Sequence, residues 1–177
     1  MVQMVEYESK LQTGQPAPDF SLPDITGIQH SLGEFHGRVV ILNFWSAECT
    51  WAQRTDAALQ QLLQAWRERV VLISVASNTN EDPGLIRQTA GDRGLPYLLV
   101  DEGSRLADLY GAQTTPHLFL IDPQGILRYQ GAFDDVTFRQ RTPTKDYLRQ
   151  AVEAVLAGQH PDPDQTPAYG CMIVRPA

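Results

Sequence analysis

Two stretches of this chain are apolar almost throughout, RVVILNFW at 38–45 and VVLISVAS at 70–77. A strand with one wet face alternates apolar and polar residues. A β-branched apolar run without that alternation needs cover on both faces, which is the position of a central strand. Between the two runs, residues 50–69 place Ala58, Leu59, Leu62, Leu63 and Trp66 at helical spacing along one face. The same alternation continues. Asp82 as N-cap and Pro83 at the first helical position open a helix over 85–94 that Gly94 stops. LPYLLVD at 95–101 reads as a strand, and 104–111 as a short helix capped by Ser104 and ended by Gly111. Residues 116–122 and 126–134 flank the turn Pro123-Gln124-Gly125 and read as a hairpin. Thr142-Pro143 starts a last helix with the stripe Tyr147, Leu148, Ala151, Val152, Val155 and Leu156. The order β-α-β-α-β-α-β-β-α predicts a three-layer α/β sandwich, its central sheet mixed because the late hairpin supplies antiparallel strands.

At 177 residues the chain is the size of one domain and large enough to bury a core without disulfides or metals. Residues 1–13 are expected to form an N-terminal extension. Residues 14–177 form the single domain, its Pro-rich stretch from 159 to 177 a C-terminal tail laid over it. The formal charge of −7 speaks against a nucleic-acid or anionic-membrane partner, either of which favours a basic face. Residues 1–20 carry scattered charges without the apolar stretch of a signal peptide, and no run approaches a membrane span, so a cytoplasmic location is expected.

The chemistry rests on two cysteines, Cys49 and Cys171. Cys49 falls between the strand ending at Trp45 and the helix beginning near Thr50, so its sulfur lies at a helix N-terminus. There, free amides and the macrodipole favour the thiolate, which is the nucleophilic form. A buried, inert cysteine is the competing reading. Glu48 opposes the thiolate, and Arg54 one turn into the helix either offsets it or is a solvated surface residue. Trp45 and Trp51 flank the cysteine and either desolvate the site or simply pack. The histidines His30, His36, His117 and His160 have no metal-ligand spacing with the cysteines, so no metal is expected. His117 points either toward Cys49 or to the opposite face of its strand. Asp134-Asp135 reads as a cation site or, more simply, as a solvated loop.

The segments GQPAPDFSLPDITGIQHSLGEFHGRVVILNFWSAEC (14–49), YLLVDEGSRLADLYGAQTTPHLFLIDPQG (97–125), YQGAFDD (129–135), YLRQAVEAVLAG (147–158) and TPAYGCMIV (166–174) resemble the AhpC/TSA and TlpA-like group of thioredoxin-fold redoxins. Within the group, the likeness is to a peroxiredoxin-like branch with one active-site cysteine and a late C-terminal one. The resemblance implies a thioredoxin-like three-layer sandwich without cofactor. It makes Cys49 the reactive cysteine and Thr115-Pro116 the Thr–cis-Pro pair facing it, where a plain strand start is the other reading of Pro116. In such folds the backbone before that proline pairs with an incoming chain or caps the sulfur.

Departures from the group narrow the chemistry. Ala52 stands where a C-x-x-C motif has its second cysteine, so a vicinal-dithiol mechanism is excluded. Leu42 and Ser46 stand at the Pro and Thr positions of the peroxiredoxin P-x-x-x-T-x-x-C motif, and the Ser46 hydroxyl is a candidate hydrogen-bond donor to the sulfur or a peroxide oxygen. Asn43, six residues before Cys49, replaces a buried acid and cannot relay a proton. Cys171 is either a resolving cysteine, condensing with an oxidised Cys49, or a small packing residue. The expectation is a thiol-dependent oxidoreductase acting on a peroxide or a disulfide through Cys49, with Ser46, Glu48, Trp51 and Arg54 around it. Its partner is an external thiol reductant, a thioredoxin-like protein or a low-molecular-weight thiol. The alternative is a non-catalytic module that docks a partner at the Cys49/Pro116 face.

Overall fold

The computed structural model describes residues 11–177. In chain order the elements are β1 (Ser21–Pro23), β2 (Gln29–Ser31), β3 (Val39–Trp45), α1 (Thr50–Trp66), β4 (Val70–Ala76), α2 (Pro83–Asp92), β5 (Leu98–Val100), α3 (Arg105–Tyr110), β6 (Thr114–Thr115), β7 (His117–Ile121), β8 (Leu127–Gly131), α4 (Tyr147–Leu156) and β9 (Cys171–Met172). The central sheet runs β5-β4-β3-β7-β8, with β3, β4 and β5 parallel and β7 and β8 antiparallel to their neighbours. This is the expected mixed α/β sheet, and the two largely apolar runs are its centre, every residue of β3 and β4 buried, Asn43 and Ser74 included.

Period-two alternation sends these residues to opposite faces. Val40, Leu42 and Phe44 join Val71, Ile73, Val75, Phe119 and Ile121 beneath α3 and the turn at residues 32–35. Val39, Ile41, Leu72, Leu118 and Leu120 meet Leu59 and Trp66 of α1 and Leu148, Ala151 and Val152 of α4. α2 covers the same face farther along, through Ile86 and Ala90 against Trp45 and Ala76.

Several boundaries differ from expectation for local reasons. α1 closes at Trp66 because Arg67 turns to φ 53°, its amide reaching back to the Leu63 carbonyl. Ser104 does not cap α3: it sits at φ 57° and its hydroxyl donates to the Ser77 carbonyl, while the Asp101 carboxylate accepts the amides of Leu106 and Ala107. α4 starts at Tyr147 rather than at Thr142, because the amides of Thr144 and Lys145 are drawn to the Asp135 carboxylate. Two short ladders were not expected, β1 with β2 and β6 with β9. Residues 1–10 of the expected N-terminal extension lie outside the described residues. Leu11 already packs into the core.

Candidate active site

Topology brings the site together. β3 delivers residues 46–49 at its C-terminal end, and β7 runs antiparallel beside it with His117 opposite Phe44, so the residues just before β7 arrive at the same end. Cys49 is the N-cap residue of α1, extended at φ −83° and ψ 120°, and only 3% exposed. Its Sγ lies 2.9 Å from the Thr115 carbonyl oxygen and 2.6 Å from the Cys171 Sγ. The Thr115–Pro116 peptide is cis. Cys171 is exposed and sits on β9, directly opposite Thr115 in the antiparallel register. The tail thus crosses the nucleophile, and residues 122 apart in sequence become neighbours.

The two thiols are electrostatically unequal. Burial raises the Cys49 thiol, but hydrogen bonds from the Cys171 thiol and from the amides of Ala52 and Cys171 outweigh it, so its pKa falls below the ordinary value. Cys171 moves the other way, pushed up to about 11 by burial, by its hydrogen bond to Cys49 and by the charges of Cys49 and Glu81. Cys49 therefore ionises first, and Cys171 keeps its proton to donate to it.

Glu81, unflagged in the sequence, shapes the loop. Its buried carboxylate accepts the Ser46 hydroxyl and the amides of Ala47 (3.4 Å) and Glu48 (3.2 Å). The Ser46 hydroxyl is thus committed to a carboxylate instead of the sulfur, because an ionised acceptor with three converging donors is the stronger partner. From below, Arg93 donates to the Ala47 carbonyl (3.1 Å) and to Asp56 (2.9 Å), and its guanidinium lies 5.6 Å from the centre of the Trp45 ring, whose indole donates to the same Asp56 carboxylate. Trp45 thus anchors the loop as well as packing.

The remaining candidates separate. Trp51 packs edge-on against Tyr169 of the tail, centroids 5.0 Å apart. Glu48 is exposed, and only its amide enters the site. Arg54 does not offset Glu48: both its terminal nitrogens bind the buried Asp134 carboxylate, at 3.2 and 2.5 Å, tying α1 to the loop after β8. Asp134 is accordingly neither a cation ligand nor solvated. Asp135 is held well below the usual carboxylate range by Thr144 and its neighbours. His117 faces away from Cys49, stacked 4.6 Å from Phe119 with Nδ1 accepting the Gln113 amide. Among the described residues, no cluster of three or more His, Cys, Asp or Glu is arranged to hold a metal.

Glu81 and Tyr169 carried no detectable signal in the sequence. Neither stands at a motif spacing from Cys49, and both reach it only through tertiary contact.

Residues 13–130 match the AhpC/TSA family. The chain is 28% identical over 149 residues to the thiol-disulfide oxidoreductase ResA of Geobacillus thermodenitrificans (strain NG80-2), covering 84% of this chain and 80% of that protein. Its structure superposes with a TM-score of 0.85 on the hypothetical protein SMc02350 from Sinorhizobium meliloti 1021, at 30% identity over 94% of this chain and 96% of that one. A putative thiol:disulfide interchange protein DsbE from Chlorobium tepidum gives a TM-score of 0.61 at 27% identity, covering 68% of this chain and 84% of that one.

Proposed function

This chain belongs to the AhpC/TSA family, a redox enzyme on a thioredoxin-like fold, and on that premise we propose that it is a thiol–disulfide oxidoreductase whose working couple is Cys49 and Cys171. The observation that carries the reading is the 2.6 Å between the two sulfurs. With Ala52 in the vicinal position, the second thiol comes from the tail instead of the next helical turn.

In this reading the Cys49 thiolate attacks one sulfur of a disulfide RSSR′, the S–S bond breaks, and RS⁻ leaves and takes up a proton. Cys171 then gives up its proton and attacks the Cys49 sulfur of the mixed disulfide, expelling R′S⁻. The net change is two protein thiols and RSSR′ converted to an intramolecular disulfide, RSH and R′SH. A peroxide enters the same cycle through a sulfenic acid on Cys49, which Cys171 condenses with loss of water. Disulfides suit the site better, because Ser46 is held by Glu81 and Arg54 by Asp134, so neither is free to polarise a peroxide. An external thiol regenerates the couple by attacking the exposed Cys171 sulfur, since Cys49 is the more acidic thiol and hence the better leaving group. The binding-module alternative has no observation in its favour, because the strand edge a partner would use is filled by β9.

The test is peptide mass spectrometry under non-reducing conditions after one equivalent of a small disulfide or of peroxide. A Cys49–Cys171 bridge is expected in the native chain and absent from Cys49→Ser. An unmodified Cys49 after excess of both oxidants overturns the proposal.

A further inference from the structure

Edge strands are templates: their unpaired amides and carbonyls recruit any extended chain that reaches them. β6 is such an edge, two residues long and beside the nucleophile, and its partner here is the protein's own tail. The fit is close. The Ile173 amide donates to the Gln113 carbonyl at 3.0 Å. At Gly170 a Cβ would overlap the Thr115 carbonyl, 2.7 Å from its carbon and 3.1 Å from the Pro116 nitrogen, so the tail passes at a distance only glycine permits. Downstream, Ile173 is buried in the core. The Val174 amide donates to Asn78 (2.8 Å), the Val174 carbonyl accepts from the Thr79 amide (3.0 Å), and Arg175 binds Asp108 (2.7 Å) and the Ala112 carbonyl (2.5 Å). Upstream, Tyr169 rests on Trp51. Yet Cys171 and Met172 themselves are exposed, Met172 by 82%. The strand is pinned on both sides of the sulfur and open above it.

We propose that residues 170–173 are a built-in occupant of the Thr114–Thr115 edge, so that Cys49 serves small-molecule disulfides and excludes polypeptide ones. This rests on the reading of Cys49 as the nucleophile. A small disulfide needs no strand pairing and has only to approach past the exposed Cys171. An extended polypeptide also needs the edge, which it gains only by lifting off a strand anchored through Ile173, Val174 and Arg175.

The experiment uses the full chain carrying Cys171→Ser, in which Cys49 is the sole thiol. Two probes share one leaving group: 5,5′-dithiobis(2-nitrobenzoate), and an extended peptide of about eight residues whose cysteine is capped as the mixed disulfide with thionitrobenzoate. In both, the Cys49 thiolate attacks the probe disulfide, thionitrobenzoate leaves as the coloured anion, and the other half stays on Cys49 as a mixed disulfide. Free glutathione reacting with each probe provides the reference ratio. With the tail seated, the peptide is expected to react with Cys49 at least about tenfold more slowly, relative to the small probe, than it does with glutathione. Adding Gly170→Ala should raise the peptide rate by about tenfold and the small-probe rate by less than about threefold. The combined Asn78→Ala and Arg175→Ala variant loosens the anchors without touching the strand, and should show the same selective rise. A ratio in Cys171→Ser equal to that of glutathione, or an equal rise for both probes in the loosened variants, overturns this inference alone. A Cys49 inert to both probes in every variant overturns it together with the reading it rests on.

Discussion

Burial and hydrogen bonding pull the Cys49 thiol in opposite directions, and hydrogen bonding wins. At 3% exposure the sulfur is poorly solvated as an anion, so its acidity depends on the donors around it. Cys171 supplies two of them, its thiol and its amide. The helix N-terminus noted in the sequence contributes the Ala52 amide. A pH titration of alkylation at Cys49, read by peptide mass spectrometry, should therefore have its midpoint below the free-thiol value of ~8.5. In Cys171→Ala the side-chain donor is lost while a methyl group still covers the sulfur. The thiolate loses stabilisation that the neutral thiol never had, so the midpoint should rise. An unchanged midpoint in that variant would show that the Cys171 thiol leaves the acidity of Cys49 untouched.

Among the elements, those legible in the sequence are the ones whose information is local. β3 and β4 announce themselves because nearly every residue is apolar to lie between two helical layers, Asn43 and Ser74 excepted, and α1 because Leu59 and Trp66 share a face. β6 and β9 are two residues each, TT and CM, with no periodicity to read. Their pairing joins segments more than fifty residues apart, and no local pattern encodes that. Cys49 was legible from its junction, and Cys171 only as one of two alternatives, since spacing along a chain does not determine distance in space. Glu81 was invisible for a further reason: it lies in a loop ahead of α2 and acts on the loop after β3, through the adjacency of β3 and β4. Its role belongs to this scale, as it holds the turn that presents Cys49 to α1. Glu81→Ala would leave the Ser46 hydroxyl and two amides without their acceptor, at a cost of about 2–3 kcal/mol in urea unfolding. Glu81→Gln keeps one acceptor oxygen and should cost about half of that. If Glu81 positions the loop, both variants should also slow Cys49–Cys171 bridge formation by dilute oxidised glutathione, Ala more than Gln. A stability loss without slower bridging would reduce Glu81 to a structural residue.

At the scale of the whole molecule, one sheet separates two apolar layers, and Cys49 and the buried His117 belong to different ones. His117 lies on the α3 side, and burial pushes its pKa down to about 4. Its Nδ1 accepts the Gln113 amide, so protonation would charge a buried ring and turn an acceptor into a donor facing a donor. The sign follows from proton counting. Between pH ~6.5 and ~4 the unfolded chain binds a proton at this histidine that the folded chain refuses, so acid favours unfolding. The stabilisation is complete above ~6.5 and is lost as the pH falls toward 4, by about 2 kcal/mol near pH 5. Other groups add their own slopes. His30 is raised by Glu34 and, opposing burial, by Asp24, so its stabilisation is full below ~6.5 and fades as pH rises through its folded value. Asp56 is raised by burial against the pull of Trp45 and Arg93, and also favours folding more at low pH. Comparing the native chain with His117→Asn cancels both, because Asn keeps an acceptor for the Gln113 amide and does not titrate. Urea midpoints measured near pH 7.5 and near pH 5 should fall further in the native chain than in His117→Asn, by an amount equivalent to about 2 kcal/mol. The oxidised and reduced forms should show the same difference, because Cys49 and His117 share no contact across the sheet. Parallel pH profiles for the native chain and the variant would place the acid sensitivity of the fold elsewhere.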